Sequence, residues 1–133
     1  MIMSQFLYDP DTDTWTAMST TNGDGAPSGR VLHTAVWTGT ENIVCGGADL
    51  GSPIPTLAST PAPDLGRYDP GTDSWIVEAL PPGKERSGHT AVWTGTGMII
   101  WGSDTDPESD GGQLNDGAIW TYALKLHDYY VKR

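Results

Sequence analysis

The stretch HTAVWTGT at residues 33–40 recurs without a single change at residues 89–96, and it decides the fold of this 133-residue chain. An arginine stands three positions before each copy, as Arg30 and as Arg86, so the repeated unit reads R-x-x-H-T-A-V-W-T-G-T. Internal repetition at a spacing of 56 residues is typical of proteins built from identical structural units.

A second block repeats as well, reading YDPDTDTW at residues 8–15 and YDPGTDSW at residues 68–75. Its spacing of 60 residues exceeds the first by four, which the Gly- and Ser-containing run at residues 21–29 absorbs as a longer loop. The blocks alternate along the chain, so two blocks make one unit and the chain begins halfway through a unit.

Each block predicts a pair of strands. Residues 31–37 are rich in β-branched and aromatic side chains, and a turn at Gly39 leads into an apolar run, which indicates a β-hairpin. We expect Gly39 and its equivalent Gly95 to adopt positive φ. The Asp-Pro pairs at residues 9–10 and 69–70 predict turns. Four short strands per unit, joined as a meander, describe a propeller blade.

The double glycine Gly46-Gly47, followed by Tyr68 and then by Trp75, resembles the signature of the kelch repeat. The resemblance covers residues 6–103 and implies a β-propeller whose blades have four strands, a to d, running outward from a central channel. On that template strand a is residues 31–38 and strand b is residues 42–47. Strand c is then residues 65–68, and strand d is residues 74–77.

The expected fold is therefore all-β, a kelch-type propeller fragment of about two four-stranded antiparallel blades whose ring does not close within one chain. All 133 residues form a single partial domain. Residues 1–18 supply strands c and d of an incoming blade, with Tyr8 and Trp15 at the kelch positions. Residues 30–79 form one full blade, residues 86–122 form strands a to c of the next, and residues 123–133 stay unassigned.

The second unit departs from the pattern in two places. Ser103 follows Gly102 where a second glycine is expected. Trp120 or Tyr122 stands near the kelch tyrosine position, and neither an Asp-Pro turn nor a tryptophan follows it.

Composition excludes several classes of partner. The net charge of −10 and a pI near 4.3 disfavour nucleic acid and anionic membrane surfaces, both of which require a basic patch. The sequence shows no apolar run of membrane-spanning length and no signal peptide, and it leaves the compartment open. Cys45 is the sole cysteine, which excludes an internal disulfide and a multi-cysteine metal site.

Two acidic segments raise the question of calcium. The run Asp9, Asp11 and Asp13 lacks the glycine and glutamate of an EF-hand loop, and Gly71 replaces Asp11 in the second copy, so a solvated turn is expected. The acidic loop is not repeated, and its carboxylates are candidate calcium ligands, although its composition also fits a solvated loop: Asp104, Asp106, Glu108 and Asp110. No cofactor is expected.

The repeated polar residues favour structural roles. Because His33 and His89 occupy equivalent positions in predicted strands, we expect packing or a fixed hydrogen bond rather than unique chemistry. Arg30 and Arg86 are expected to bond strand ends or the carbonyls of an adjacent blade. The repeated Tyr and Trp should fill the gaps between blades, and Gly46 should allow close approach of two backbones, as should Gly47.

The resemblance implies a non-catalytic binding or interaction module whose loops contact a protein or carbohydrate ligand. The alternative is an enzyme propeller similar to galactose oxidase or to the sialic acid mutarotases, acting on carbohydrate. Galactose oxidases need copper-ligating Tyr and His residues and a Cys–Tyr cross-link, yet Cys45 aligns with Trp101 in the repeat. Since propellers close with roughly four to eight blades, we expect a fragment of a longer propeller or a homo-oligomeric ring, for example a trimer of about six blades.

Overall fold

The structure is a computed structural model, and it describes residues 6–18, 25–49, 62–80, 85–103, 116–122 and 129–131. Within these ranges the chain forms strands and turns and no helix, so none there could cross a membrane as a helix. The all-β prediction is confirmed. In chain order the strands are β1 (Phe6–Asp9), β2 (Thr14–Ala17), β3 (Arg30–Val31), β4 (Thr34–Trp37), β5 (Asn42–Cys45), β6 (Ala48–Asp49), β7 (Asp64–Asp69), β8 (Ser74–Ala79), β9 (Thr90–Trp93), β10 (Gly97–Trp101), β11 (Asp116–Thr121) and β12 (Tyr129–Val131).

The first blade is the antiparallel sheet β4-β5-β7-β8, a four-stranded meander. Gly39 supplies the turn between its first two strands with φ of +105°, and Gly95 does the same in the next blade with φ of +99°. The outer turn carries the Asp69-Pro70 pair, and the hairpin β1-β2 repeats that turn alone at the start of the chain.

The second blade is the sheet β9-β10-β11-β12. Its fourth strand, Tyr129–Val131, lies in the segment that the sequence pattern left unassigned, and it pairs with β11 through Asp116↔Val131 and Ala118↔Tyr129. The kelch signature could not locate this strand because the usual Asp-Pro turn and tryptophan are missing, whereas backbone pairing requires neither.

The predicted strand a is shorter than expected and is broken. Leu32 has φ of +57°, so the chain bends there, and the long strand of the first blade begins at Thr34. The residues before the bend form β3, which pairs with β6 just after the double glycine. His33 and His89 therefore precede the strands in which the sequence placed them.

Two apolar clusters hold the sheets together. The first, which we call the closed interface, joins the two blades and consists of Val36, Ile43, Cys45, Leu65, Leu80, Met98, Ile100, Ala118 and Trp120, with Ala91 and Trp93 packed against it. The second joins the hairpin β1-β2 to the first blade and consists of Val44, Tyr68 and Trp75 with Leu7, Met18 and Ala26. Strand β5 thus sends alternate side chains to opposite faces, both of them covered.

Candidate functional site

Arg30 ties the first blade together at the start of strand β4. Its Nη1 donates to the Gly46 carbonyl oxygen at 3.1 Å and lies 2.6 Å from Asp64 Oδ1, as an ion pair outside hydrogen-bond geometry. The Nε and Nη2 groups donate to the carbonyl and hydroxyl oxygens of Ser28. Arg30 is 4% exposed, so its charge is compensated by neighbours rather than by water.

Arg86 repeats this arrangement in the second blade. Its Nη1 donates to the Gly102 carbonyl oxygen at 3.1 Å and to Asp116 Oδ1 at 3.2 Å. Sequence reasoning allowed strand ends or the carbonyls of an adjacent blade as partners. Each guanidinium bonds strand ends, the first of these two possibilities, and they are those of its own blade. The backbone carbonyl of Arg86 makes the link across blades, accepting from Gly47 N at 2.9 Å.

The two glycines of the pair Gly46-Gly47 are required for different reasons. Gly46 has φ of +58°, and a Cβ there would collide with the carbonyl oxygen of Arg86 in the next blade. Gly47 has φ of +92°, and its Cβ would stand 2.7 Å from the carbonyl oxygen of Val31 in its own blade. The first glycine therefore permits close approach of two blades, and the second permits the local pairing of β3 with β6.

Ser103 explains how the second blade manages without a second glycine. Its Oγ donates to the carbonyl oxygen of Ser87 at 2.9 Å, in a buried position. Ser87 is the repeat equivalent of Val31, so the same carbonyl that excludes a side chain in the first blade accepts a hydrogen bond in the second. Serine in place of the second glycine therefore adds one hydrogen bond to the second blade.

His89 lies buried between the blades. Its Nε2 is 2.7 Å from Thr34 Oγ1 of the first blade, and it is 5% exposed. Burial, with Arg86 nearby, lowers the pKa of His89 to about 4. The carbonyl oxygen of Arg86 acts in the opposite direction and raises this pKa, but by less than burial lowers it. That oxygen lies outside hydrogen-bond geometry for Nδ1, and Nδ1 has no hydrogen-bond partner among the described residues. The ring is therefore neutral at physiological pH and serves to join two blades.

His33 has the same sequence context and a different environment, because it is exposed. The hairpin β1-β2 packs against Val44, Tyr68 and Trp75 of the first blade, and no described strand covers β4 on that side. Ala35 is exposed beside it, and Trp37 is 54% exposed. We call the surface formed by His33, Ala35 and Trp37 the open face. The equivalence of the two histidines expected from the repeat does not hold.

The repeated aromatic pair is divided in the same way. Tyr68 and Trp75 are almost fully buried under the hairpin, and Tyr68 donates to Asp73 Oδ1 at 2.6 Å. Burial, together with that bond, raises the pKa of Tyr68 to about 12. Tyr8 and Trp15 keep the ring contact at 4.9 Å between centroids but are 47% and 67% exposed. Filling of interblade gaps is thus seen for one pair and not for the other.

The acidic turns bond internally. Asp9 Oδ1 accepts from Asp11 N at 2.9 Å, which lowers the pKa of Asp9, and Tyr8 donates to Asp13 Oδ1 at 3.0 Å. The described ranges contain no group of three or more His, Cys, Asp or Glu side chains that could hold a metal ion. The candidate calcium ligands lie outside these ranges: Asp104, Asp106, Glu108 and Asp110.

A charged cluster between the blades was not found from the sequence. Arg67 donates to both carboxylate oxygens of Glu41 and to Glu78 Oε1 at 3.1 Å, and its guanidinium lies 4.9 Å from the ring centroid of Tyr122. It also lies 5.7 Å from that of Trp120. Tyr122 donates to Glu41 Oε2 at 3.0 Å. The only sequence signal was Arg67 itself, which stands where the first copy of the block has Leu7.

The second blade also has a side that no described strand covers, which we call the outer face. It contains Thr90, Val92, Ile99 and Trp101, the repeat equivalents of residues that the closed interface buries or bonds. Val92 is 55% exposed and Trp101 is 39% exposed. Trp101 pairs with Gly117, whereas the equivalent Cys45 pairs with Leu65, so a large–small pair replaces a small–large one. The outer face therefore keeps the side-chain volume of an interblade surface.

The one thiol of the chain belongs to the closed interface. Cys45 is fully buried, and this burial raises its pKa to about 12. A thiol in that state is protonated at neutral pH and has little thiolate available for metal binding or nucleophilic attack. The copper chemistry of galactose oxidase, which the sequence kept as an alternative, gains no support from this position.

Comparison with known proteins places the fold. No protein-family model matches the chain, and no curated protein sequence does. Among solved structures 73 chains match, including one titled "Structure of YjhT", with a TM-score of 0.72 at 16% identity. The alignment covers 96% of this chain and 43% of that one, so the chain spans less than half the length of YjhT. At this identity the likeness shows the fold alone: the predicted all-β, partial propeller fragment is confirmed, and its assignment to the kelch family stays a prediction.

Proposed function

We propose that this chain is a non-catalytic binding or interaction module of the kelch-propeller type. The observation that carries the proposal is that most of the repeated polar residues bond strand ends or join the two blades. Arg30 and Arg86 hold strand ends within their blades, and His89 is neutral and bonded to Thr34 across the interface. With these groups engaged in the scaffold, the surfaces available for function are loops and blade faces, which suit contact rather than chemistry.

The ring that presents these surfaces contains more blades than the chain supplies. Two blades and a hairpin correspond to 43% of YjhT, and propellers close with roughly four to eight blades. The exposed apolar residues of the open and outer faces favour association with further blades. We propose that a longer propeller provides them, with a homo-oligomeric ring as the alternative arrangement. Light scattering distinguishes these, because the second arrangement requires one discrete closed mass.

The ligand that we propose is a protein or a carbohydrate at the loops. Saturation-transfer NMR with galactose and with N-acetylneuraminic acid tests the carbohydrate class, and the anomer interconversion of each sugar is followed in the same tube. Saturable transfer with interconversion at the rate of buffer alone supports a binding module. Transfer to neither sugar directs the search to protein ligands.

Catalysis would overturn the proposal. Faster anomer interconversion, or hydrogen peroxide formed from galactose in the presence of copper, would show that the module is an enzyme. His33→Gln tests whether the exposed histidine is responsible for any such activity. His33 is the exposed member of the repeated pair, so its replacement should leave the fold intact. A rate enhancement that disappears in this variant would assign the chemistry to the open face.

A further inference from the structure

Strand β8 forms the free edge of the first blade. It pairs with β7 on one side over its six residues, Ser74–Ala79, and no other described strand pairs with its second side. Both faces of this blade already have neighbours, namely the second blade at the closed interface and the hairpin β1-β2 on the opposite face. The free side of β8 lies at the margin of the sheet, where a blade stacked on either face does not pair with it.

Two adjacent aliphatic side chains of this edge are exposed. Ile76 is 52% exposed and Val77 is 42% exposed, and they lie on opposite faces of the blade because successive residues of a strand alternate. Trp75, on the same face as Val77, belongs to the cluster under the hairpin. Glu78, on the same face as Ile76, accepts from Arg67 at 3.1 Å. The edge therefore presents apolar surface on both faces, and its one carboxylate is compensated within the blade.

The repeat itself does not require aliphatic residues at these positions. Their equivalents in β2 are Thr16 and Ala17. The corresponding strand of the second blade, β12, has three residues and is flanked in the sequence by Asp128 on one side and by Lys132 on the other. Short length, polar residues and flanking charge are the usual means of keeping an edge strand from pairing with another chain. Strand β8 is longer and has an aliphatic pair at its centre.

We propose that β8 pairs edge to edge with β8 of a second copy of this chain, which gives a two-fold dimer with one sheet running through both first blades. The strand is self-complementary about Ile76. In an antiparallel register centred on Ile76, Trp75 of one copy lies opposite Val77 of the other, and Ser74 lies opposite Glu78. Apolar side chains then meet apolar ones, and each carboxylate meets a hydroxyl group instead of a second carboxylate.

Symmetry restricts the register. A two-fold axis perpendicular to the sheet leaves every side chain on its own face, so the centre falls on a residue and not between two residues. A register centred on Val77 would place Ile76 opposite Glu78, an apolar group against a charged one. The register centred on Ile76 covers both exposed aliphatic side chains, Ile76 by its own copy and Val77 by Trp75.

This inference goes beyond the proposed function, because it concerns the margin of a blade and not the loops. It also differs from ring closure, in which the open and outer faces are covered and this edge stays unpaired. A loop ligand can exist without the dimer, and the dimer can form without a loop ligand. The two proposals therefore fail independently.

A disulfide across the two-fold axis tests the register. Residues directly opposite each other in an antiparallel pair have Cα atoms about 4.5–5.5 Å apart, within the range that a disulfide bridges. We expect Ile76→Cys, oxidised with glutathione disulfide, to give a covalent dimer on a non-reducing gel. Val77→Cys is the matched control, because Val77 lies two residues out of register with its own copy and should cross-link far less. Cys45 is buried and can remain in both variants.

Sedimentation equilibrium tests the dimer without a covalent link. We expect the wild-type chain to show a monomer–dimer equilibrium and its amides in Ser74–Ala79 to gain protection from hydrogen exchange as the concentration rises. Ile76→Lys should weaken the dimer about tenfold or more, since two ammonium groups would face each other on the axis. Thr16→Lys, at the equivalent exposed position of β2, should leave the equilibrium unchanged. Hydrogen exchange of the closed interface checks that both variants fold.

Several results would overturn the inference. A chain that stays monomeric would refute the dimer, and association that Ile76→Lys leaves unchanged would place the contact elsewhere, for example in ring closure. Equal cross-linking of Ile76→Cys and Val77→Cys would contradict the assigned register. Protection of Ser74–Ala79 that does not depend on concentration would show that a segment of the same chain covers the edge.

Discussion

The repeated stretch contributes His89, Ala91 and Trp93 to the closed interface and His33, Ala35 and Trp37 to the open face, and the two copies differ in burial and bonding. His89 is buried, neutral and bonded to Thr34, whereas His33 is exposed. Trp93 packs against the interblade cluster, whereas Trp37 is 54% exposed. The eight residues that begin at each histidine are identical, so their different burial follows from what packs against each copy. In this fold, the environment of a repeated residue is set by the surface that packs against it.

The largest expected contrast is between two equivalent isoleucines. Ile43 is fully buried in the closed interface, and Ile99 lies half-buried on the outer face. Ile43→Ala should reduce the free energy of unfolding by about 3–4 kcal/mol, and Ile99→Ala by about 1 kcal/mol, because the cost follows lost contacts and the cavity left. Urea unfolding followed by tryptophan fluorescence measures both. Equal losses would mean that the outer face is covered in solution.

The glycine–serine exchange should give the next largest effect. Gly47→Ser places a side chain at φ of +92° against the Val31 carbonyl, and we expect a loss of about 2–4 kcal/mol in the free energy of unfolding. Ser103→Gly removes one buried hydrogen bond to Ser87 and should cost about 1 kcal/mol. Chemical denaturation of both variants tests the pair. Similar costs for the two exchanges would contradict the asymmetry seen in the backbone.

The two histidines should separate by pH. Because the folded-state pKa of His89 lies near 4, below the ordinary 6.5, the unfolded chain binds the extra proton first, and stability falls as pH decreases through this window. At pH 5 the loss from His89 should be about 1–2 kcal/mol relative to pH 7. His89→Gln should flatten that part of the stability profile, and His33→Gln should not. Thermal unfolding between pH 4 and pH 7 is the measurement, and a flat wild-type profile would refute it.

The smallest effect concerns the bend before each histidine. Leu32 has φ of +57° and its equivalent Gly88 has φ of +63°, so only the second copy carries the residue that suits a left-handed backbone. Leu32→Gly should raise the free energy of unfolding by about 0.5–1 kcal/mol, and Gly88→Leu should lower it by about 1–2 kcal/mol. Differential scanning calorimetry compares the variants. Destabilisation by Leu32→Gly would show that the leucine side chain makes contacts worth more than the strain.

Particular elements show where sequence reasoning succeeded. The turns at Gly39 and Gly95 lie where β-branched runs end, and both have the positive φ that such turns require. The tyrosine strand of the first blade begins at Asp64, one residue before its predicted start. These features depend on local chemistry, namely alternation of apolar residues and the conformational range of glycine, which a single stretch of chain carries by itself.

Other elements could not be read from one stretch of chain. Strand β12 forms because β11 offers it an edge, not because its own sequence carries the kelch pattern. The cluster around Arg67 unites Glu41 and Tyr122, which are 81 residues apart in the sequence. Such contacts exist only after two blades stack, and nothing in the spacing of these residues along the chain indicates them.

The sequence by itself determined that the chain is an all-β repeat, that each unit forms two hairpins, and where the glycine and Asp-Pro turns fall. Only the tertiary structure decided which copy of each repeated residue is buried, charged or bonded. The physical reason is that turn chemistry and strand periodicity are local, whereas burial depends on the surface brought by an adjacent blade. His33 and His89 occupy the same position in the repeat, but His33 is exposed and His89 is buried between the blades.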